Sequence, residues 1–413
     1  MATLNGAAYV REQLDSLAAQ TVPPLELLVA DDGSTDATQE IVAAFGRTAP
    51  FPVVVTRNDT RLGYSDNFLA LCAGARGRLI AFCDQDDVWD ARKLERVVPW
   101  FGDPCVGLVL HRTEVVGPDL RPLGWHWPPI GRTAVRRARG VDPWFPAYGM
   151  AMVFRRSLLD TVADRARPPS RNLMGGPIAH DEWVYMLSGS LGRTVFLAED
   201  LALYRQHGSA LVSTLGRGVR GNFDRSLRFG APDYHRRASL FRAHEGFWSA
   251  IAVDPTTPDD VRDACGRAAS WYTRLATGQE ARVVVRDLGF PRRERALRLL
   301  RLLVAGGYRA RTAAGLGVYA LAGDLLGLLA QGRTRSESPP AREIAARVAQ
   351  KSAAGWTPEE IADALTREGV VPLHGNRWSA DMIPDVLYMA GADVAHSAVS
   401  RGPAFQRRDD PRE

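Results

Sequence analysis

Lysine is almost missing from this chain of 413 residues. It occurs only at Lys93 and Lys351, so nearly all of the basic charge is carried by arginine. Together with many Ala and Gly residues, this skew is typical of a GC-rich coding sequence rather than of one function. The formal net charge of +5 is modest for the length. It suits anionic small molecules or an anionic membrane surface, and it does not by itself indicate nucleic acid binding.

A glycine-rich loop followed by a lysine is also missing. Enzymes that transfer nucleotidyl or phosphoryl groups on an α/β sheet need basic residues on the phosphates, and such a loop is their usual way of supplying them. The sequence therefore argues against that class of enzyme.

Paired cysteines and long apolar runs are absent as well. The four cysteines show no paired spacing and no secretory signal is visible, so we expect reduced thiols in a cytoplasmic protein. The stretch from Leu316 to Ala330 is apolar but contains Asp324. At about 15 residues it is too short to span a bilayer comfortably.

Two acidic segments, in contrast, follow apolar runs. Asp84–Trp89 comes after Leu79–Cys83, and Asp31–Asp36 comes after Leu25–Ala30. Carboxylates at a strand end are costly unless a positive group neutralises them, and a divalent cation carrying substrate phosphates is a common solution. A solvated acidic turn is the alternative for each segment taken alone.

Helical and extended patterns alternate around these segments. Helices are predicted at Asp36–Phe45 and Ser65–Ala73, with a strand at Pro52–Thr56 between them. This order predicts an α/β fold with a parallel sheet and crossover helices. Ligands of such sheets bind at the carboxyl ends of the strands, where both acidic segments fall. The pattern therefore predicts a metal–nucleotide site.

The ordered set of motifs resembles glycosyltransferase family 2. It is carried by Met1–Gly6, Gln20-Thr21, Asp31–Asp36, Asn58–Asn67 and Asp84–Trp89, and it covers roughly residues 1–210. The Asp-Gln-Asp-Asp-hydrophobic-Trp variant is similar to the rhamnosyltransferase-like branch. The resemblance implies a GT-A type fold, a nucleotide-diphosphate-sugar donor and Mg²⁺ or Mn²⁺. It further implies an inverting transferase, with rhamnose as one candidate sugar, that uses a glycan or lipid-linked acceptor in cell-surface polysaccharide synthesis.

The opening of the chain departs from the family pattern in two ways. The family has a hydrophobic strand before its opening motif, whereas this chain begins at Met1, so we expect either a misplaced start or a sheet without its first strand. Leu4 stands where the family often has an aromatic residue that stacks on the base.

The resemblance also implies roles for individual residues. Asp181 matches the catalytic base, with Glu182 as a neighbouring candidate, although a carboxylate at a helix start can simply be a cap. Trp183 is either a sugar platform or core, and His207, in Tyr204–Gly208, is either a metal or phosphate ligand or structural. The implied nucleotide-sugar-binding residues are Thr3, Asn5, Asp31, Asp32, Asp84 and Asp87, and the implied metal ligands are Asp86, Asp84 and His207.

Three regions lie outside these motifs. Val115–Trp144 is predicted to be a long loop whose tryptophans either stack on an acceptor sugar or cover the sheet. Arg293–Val304 is a basic amphipathic helix that either lies on a membrane at the inner face of the cell or packs on the domain. Thr357–Glu360 is a capping box in a small helical tail, and Gly355–Ser379 weakly resembles a recombinase-type helix-turn-helix segment.

The predicted organisation has four parts. They are a catalytic domain at 1–215 that lacks its first strand, an Arg/Leu-rich helical extension at 216–331, a linker at 332–340 and a helical tail at 341–413 with a disordered end.

The sequence also leaves an alternative to a transferase. In that case the tail is a DNA- or protein-binding module and the first half of the chain is inert.

Overall fold

The computed structural model describes residues 1–162, 165–171, 176–207, 231–287, 289–305, 307–308, 318–329 and 341–370. The chain divides into two compact units, one formed by 1–171 with 177–329 and the other by 172–176 with 330–413. The predicted boundary near 215, the linker 332–340 and the segment from 371 onward lie outside the described residues. No helix among the described residues is long and apolar enough to cross a membrane.

The first unit alternates strands and helices through its first half and then becomes helical. Its strands are β1 (Ala2–Thr3), β2 (Leu27–Asp31), β3 (Val53–Arg57), β4 (Leu79–Ala81), β5 (Val88–Trp89), β6 (Val106–Val116), β7 (Pro122–Trp127), β8 (Ala134–Arg136), β9 (Met152–Arg155) and β10 (Arg193–Arg205). Its helices are α1 (Val10–Ala18), α2 (Thr38–Gly46), α3 (Tyr64–Gly74), α4 (Lys93–Val97), α5 (Ser157–Asp160), α6 (His180–Leu191), α7 (Ala231–Ala252), α8 (Asp259–Arg286), α9 (Arg292–Val304) and α10 (Val318–Leu329).

The strands form two sheets rather than the single parallel sheet predicted from the sequence. β1, β2 and β3 are parallel, in that order. β4, which was expected to join them, instead pairs antiparallel with β9 in a mixed sheet ordered β4-β9-β6-β10-β5. The expectation was wrong because the apolar run of β4 fits a mixed sheet buried by helices as well as it fits a parallel one.

The opening of the chain does supply a strand. Ala2 and Thr3 pair in parallel with Ala30 and Asp31 of β2, so the expected absence of a first strand is corrected to a strand of two residues. The terminal amino group of Met1 donates to the Leu28 carbonyl at 2.7 Å.

The region Val115–Trp144 is not the long loop that its Pro, Gly and Arg content suggested. β6 runs on to Val116, β7 pairs antiparallel with β6, and β8 pairs antiparallel with β10. β7 alternates Leu123, Trp125 and Trp127 with Gly124 and His126, but it is mostly exposed, and its Pro and Gly residues are typical of a loop. Pairing across the sheet, rather than local sequence, decides its structure.

One core joins the sheet to the helical region. β6 is buried along most of its length, and Leu108 and Leu110 pack in the same cluster as α6. α8 contributes Cys265, Tyr272 and Ala276 to this cluster. Asp324 interrupts the apolar stretch of α10 because it is buried there as the ion-pair partner of two arginines of α8.

The second unit contains two described helices, α11 (Ala341–Ala353) and α12 (Pro358–Arg367). The predicted capping box is present, because Thr357 accepts from the Glu360 amide and Glu360 accepts from the Thr357 amide. Ile344, Ile361 and Leu365 are buried. The part of the predicted helix-turn-helix segment beyond residue 370 lies outside the described residues.

Candidate functional site

The turn after β2 is ordered by two aspartates. Asp31 accepts hydrogen bonds from the Thr3 hydroxyl at 2.9 Å, the Ser34 amide at 2.9 Å and the Gln39 amide nitrogen at 2.7 Å. Burial alone would raise the pKa of Asp31, but the hydrogen bonds from Ser34, Thr3 and Gln39 hold it below its usual range. A carboxylate has about four acceptor sites, and here they are filled by the protein. Asp31 therefore shapes the pocket, and a base ring would have to share these acceptors.

Asp32 organises the next loop in the same manner. Its oxygens accept from the Leu62 and Gly63 amides at 2.8 Å each and from Asn58 at 2.9 Å. Burial opposes a charge there, but these hydrogen bonds lower the pKa of Asp32. The stretch from Asn58 that the family resemblance singled out is thus tied to β2 by this carboxylate.

The opening motif and the second acidic turn are clamped together. Gln85 accepts from the Leu4 amide at 2.9 Å and donates to the Leu4 carbonyl at 3.0 Å. A Cβ on Gly6 would lie 2.2 Å from Gln85 Oε1, so a larger residue there would have to displace this amide from Leu4. Asn5 has a positive φ of 47° and accepts from the Thr35 amide at 2.9 Å, and it is exposed.

Three aspartates gather after β4, as the sequence predicted. Burial, and then the charges of Asp86 and Asp181, raise the pKa of Asp84 to about 7. Burial and the charges of Asp86 and Asp84 likewise raise the pKa of Asp87 well above its usual range. Asp87 accepts from the Arg205 amide at 3.0 Å. The cluster is a site of concentrated negative charge that a cation would relieve.

His207 reaches the same cluster from the end of β10. Its Nε2 lies 2.9 Å from Asp86 Oδ2, and its ring lies 4.6 Å from that of Tyr9. Arg205 donates to the Asp86 carbonyl at 2.7 Å and stacks on Tyr9 at 4.7 Å. Strand β10 runs as far as Arg205, and its length brings Tyr204–His207 to the acidic turn.

The described residues contain no group of three or more His, Cys, Asp or Glu side chains arranged to hold a metal. Asp86 and His207 are in contact, whereas Asp84 interacts with Asp86 through charge repulsion. The three-residue metal set implied by the family resemblance is thus not assembled by the protein side chains alone.

Asp181 and Glu182 have different surroundings at the start of α6. Asp181 is partly exposed, accepts from the Glu182 amide at 2.7 Å and acts on Asp84 through its charge. Glu182 is buried, accepts from the Ser170 hydroxyl at 2.8 Å and pairs with Arg171 at 3.2 Å. Burial raises the pKa of Glu182. Asp181 therefore faces the acidic cluster, whereas Glu182 ties down the segment before α6.

Neighbours of Asp181 fix the helix start. The His180 ring stacks on Phe68 at 4.4 Å, and its backbone amide donates to Ser65 Oγ at 2.9 Å. Burial lowers the pKa of His180. Trp183 is buried and packs edge-on against Phe247 at 5.3 Å, so of its two predicted roles the structure supports core.

Lys93 is a member of the site that the sequence prediction missed. Its side chain is fully buried, donates to the Met150 carbonyl at 2.8 Å and lies 3.6 Å from the centre of the Trp89 ring. Burial lowers its pKa to about 7, against the opposing charges of Asp87 and Asp84. The sequence offered one sign of this: Lys93 is one of only two lysines in the chain and lies six residues after Asp87.

The predicted tryptophan group divides into two. Trp125 and Trp127 on β7 lie 6.3 Å apart, and Trp127 lies 5.7 Å from Tyr148, which is 6.1 Å from Tyr204. This aromatic row leads to the strand that carries His207. Trp144 instead packs on Phe241 at 5.7 Å in the core.

The sequence was compared with protein families and with known proteins. Residues 1–162 match the model for "Glycosyl transferase family 2". An uncharacterised protein of Mycobacterium tuberculosis is 29% identical over 213 residues, which cover 49% of this chain and 56% of that protein. An uncharacterised glycosyltransferase of Nostoc is 28% identical over 211 residues, covering 50% and 63%. The chain thus spans a little over half of the curated relatives it matches.

Two solved structures are also similar. Staphylococcus aureus TarS 1–349 in complex with UDP-GlcNAc has a TM-score of 0.42 at 18% identity and covers 78% of this chain and 89% of its own. A mannosyltransferase from Pyrobaculum calidifontis in complex with GDP-Man and Mn²⁺ has a TM-score of 0.37 at 19% identity, with coverage of 79% and 85%. The predicted fold class, a GT-A type α/β core followed by a mostly helical region, is confirmed by the described elements. Residues 1–162 are thus similar in sequence to glycosyl transferase family 2.

Proposed function

We propose that this protein is an inverting glycosyltransferase that moves a sugar from a nucleotide-diphosphate donor to an acceptor hydroxyl. The observation that carries the proposal is the convergence of Asp84 and Asp181. They come from separate segments of the chain, yet the charge of Asp181 helps to raise the pKa of Asp84 to about 7. A donor site and a base on one pocket are what glycosyl transfer requires, and the family match over residues 1–162 supports this class.

The nucleotide would lie against the carboxyl ends of β1 and β2. Thr3, Asn5, Asp31 and Asp32 line this end, with Asp84 and Asp87 on the adjoining turn. Because Asp31 and Asp32 are held by the protein's own donors, they would keep the pocket shape, while exposed Asn5 is available to the base or ribose.

The acidic cluster fits Mg²⁺ or Mn²⁺. Hard oxygen ligands suit both ions, and the mutual repulsion of Asp84, Asp86 and Asp87 is the physical reason for a cation there. Asp86, Asp84 and His207 would hold it together with oxygens of the donor. When bound, the ion offsets charge on the leaving diphosphate. Buried Lys93 and Arg205 lie next to the cluster, and their positive charges would stabilise its carboxylates.

Asp181 would be the general base. It takes the proton of an acceptor hydroxyl as the acceptor oxygen bonds to the anomeric carbon, and the bond from that carbon to the diphosphate oxygen breaks on the opposite face. The configuration is therefore inverted. A positioned base contributes about 10²–10⁴-fold to such a step. The row Trp125, Trp127 and Tyr148 offers flat faces on which an acceptor sugar can stack.

The proposal extends to the donor sugar and the acceptor. The Asp-Gln-Asp-Asp-Val-Trp motif favours a rhamnosyltransferase-like enzyme, and we assign it to cell-surface polysaccharide synthesis on a glycan or lipid-linked acceptor at the inner face of the membrane. Peripheral contact would be made by α9. Its inner face buries Leu299 and Leu302, whereas Leu297 and Leu300 are more than half exposed and neighbour exposed arginines.

The membrane contact can be tested by sedimentation with vesicles. Changing both Leu297 and Leu300 to Ser should reduce binding to phosphatidylglycerol vesicles, whereas equal binding by this variant and the unchanged protein would remove α9 from the proposal.

The transferase itself is tested by hydrolysis of a panel of UDP-, GDP- and dTDP-sugars with Mn²⁺, with Mg²⁺ and in EDTA. We expect one donor class to be hydrolysed only with metal, and Asp86→Ala to abolish that hydrolysis while the fold survives. Asp160→Ala removes an exposed carboxylate of α5 and is the matched control. Full activity of Asp86→Ala, or full activity in EDTA, would contradict the metal assignment.

The alternative function is a binding module in the second unit. The capping box and the buried face of α11 and α12 are compatible with it, and it requires DNA or protein binding by the chain while no nucleotide sugar is hydrolysed.

A further inference from the structure

A groove lined by arginines lies apart from the acidic pocket. Its floor is the outer face of α8, where Asp263, Gly266, Arg267, Ser270 and Arg274 share one side of the helix. Arg139, from the loop after β8, together with Ala252 and Arg262 completes the lining. The groove has a volume of about 630 Å³ and contains four arginines against one aspartate.

Several arginines of the first unit are neutralised by carboxylates. Arg112 pairs with Asp200, Arg96 with Glu199 and Arg282 with Asp324, each at 2.7 or 2.8 Å. Within the groove, Arg262 pairs with Asp259. Arg267 and Arg274 are exposed and make no hydrogen bond or ion pair with the residues that the structure describes. Two guanidinium groups are thus available to a ligand.

Arg139 is held in place at the groove wall. It has a positive φ of 62°, its backbone amide donates to the Gly189 carbonyl at 2.6 Å, and its side chain donates to the Ser190 carbonyl at 3.0 Å. Burial, and then the charges of Arg267 and Arg274, lower the pKa of Arg139. The guanidinium is therefore fixed among like charges, which favours an anionic ligand between them.

We propose that this groove binds a discrete multivalent phosphate anion, such as a diphosphate group, through Arg139, Arg267 and Arg274. The planar guanidinium fork matches phosphate oxygens and binds them in pairs. The groove is open to solvent and has room for more than one phosphate group. A membrane surface is a poorer match, because the three arginines gather at one site around Arg139, whose side chain is fixed on the Ser190 carbonyl, rather than spreading over a broad face.

The groove is separate from the donor pocket. Arg139 contacts the last residues of α6, whereas Asp181 lies at its start, and a helix of 12 residues is about 18 Å long. A phosphate bound in the groove therefore does not occupy the proposed donor site. It would belong to a second ligand or to a distant part of an acceptor.

Pyrophosphate titration of the full chain by calorimetry tests the assignment. EDTA is present throughout, because the acidic pocket repels pyrophosphate when no metal neutralises it. We expect saturable binding that weakens as salt is raised and that falls by about tenfold or more when Arg267 and Arg274 are both changed to Gln. Donor hydrolysis should be unchanged in this double variant.

A second double variant, with Arg47 and Arg92 changed to Gln, removes the same charge from exposed positions outside the groove and should bind as the unchanged protein does. The proposal is overturned if the unchanged protein shows no saturable binding, or if both double variants lose affinity equally. It is also overturned if Arg267→Gln/Arg274→Gln loses only binding to phosphatidic acid vesicles, since the surface would then recognise a membrane.

Discussion

At the scale of single residues, adjacent carboxylates at the start of α6 have different surroundings. The charge of Asp181 acts on Asp84, whereas Glu182 is buried against Ser170 and Arg171. Sequence alone left both as candidates for the base, because neighbouring positions in a helix start share every local signal. Their orientations differ by about 100° around the helix, and packing decides which one meets the substrate.

The first prediction follows from that difference. Asp181→Asn should reduce the turnover of donor hydrolysis by about 10²–10⁴-fold with little change in donor KM, because the base acts on the attacking hydroxyl. Glu182→Gln should lower the melting temperature instead, because it breaks a buried pair. Steady-state kinetics and thermal unfolding of both variants separate the two roles. An active Asp181→Asn beside an inactive, folded Glu182→Gln would reassign the base.

The second prediction concerns Lys93. In the folded protein the pKa of Lys93 is lowered to about 7, so the folded lysine loses its proton more readily than the unfolded one. Between pH 7 and about 10 the unfolded chain therefore binds more protons than the folded chain. The stability contributed by this group therefore rises with pH across that window. Lys93→Met should abolish this rise in urea unfolding and shift the acidic limb of donor hydrolysis to higher pH. Lys351→Met, in the second unit, is the control and should change neither property.

The chemistry of the site was more predictable than its supports. The acidic turns and His207 could be identified because strand ends and charged motifs are local features of the sequence. Gln85, Lys93 and Tyr9 could not, because their partners lie far along the chain and only the fold brings them together. The hydrogen bond between Leu4 and Gln85, for example, spans 81 positions.

At the scale of secondary structure elements, periodic patterns gave accurate helices and less accurate strands. α2, α3 and α9 lie within two residues of their predicted bounds, since one buried face repeating every three or four residues is a strong signal. β7 and β8 were taken for a loop because the segment is rich in Pro, Gly and Arg. The pairing of β4 with β9 was equally inaccessible, since strand partners are not encoded locally.

A third prediction tests how α7 packs. His244 is buried, its Nε2 lies 3.0 Å from the Pro169 carbonyl, and burial lowers its pKa to about 4. Between about pH 6.5 and 4 the unfolded chain binds a proton that the folded chain does not, so stability falls as pH falls through this window, by at most about 3 kcal/mol. In urea unfolding at pH 7 and 4.5, His244→Gln should lose less stability on acidification than the unchanged protein. His235→Gln, exposed on the same helix, should behave as the unchanged protein; an unchanged slope in His244→Gln would contradict the packing.

At the scale of the whole molecule, the residues proposed for the chemistry all lie in the first unit. Every residue assigned to the donor, the metal or the base lies between Thr3 and His207, and the groove on α8 belongs to the same unit. The helical extension shares the core of the sheet through Cys265, Tyr272 and Ala276. Composition alone could not reveal this, because an Arg/Leu-rich helix gives the same pattern whether its apolar face meets a membrane or a neighbouring sheet.

The fourth prediction is that the second unit is dispensable for donor chemistry. Its α11 and α12 bury their own apolar residues, Thr357 caps α12 through its own box, and the Lys351–Glu368 pair at 2.8 Å lies within the unit. Truncation after Gln331 should therefore leave kcat/KM for donor hydrolysis within about twofold of the full chain, since each assigned residue keeps its contacts. Hydrolysis, melting temperature and vesicle binding measured on both proteins separate catalysis from association. A truncated protein that melts at the same temperature but no longer hydrolyses the donor would mean that the second unit contributes to the active site.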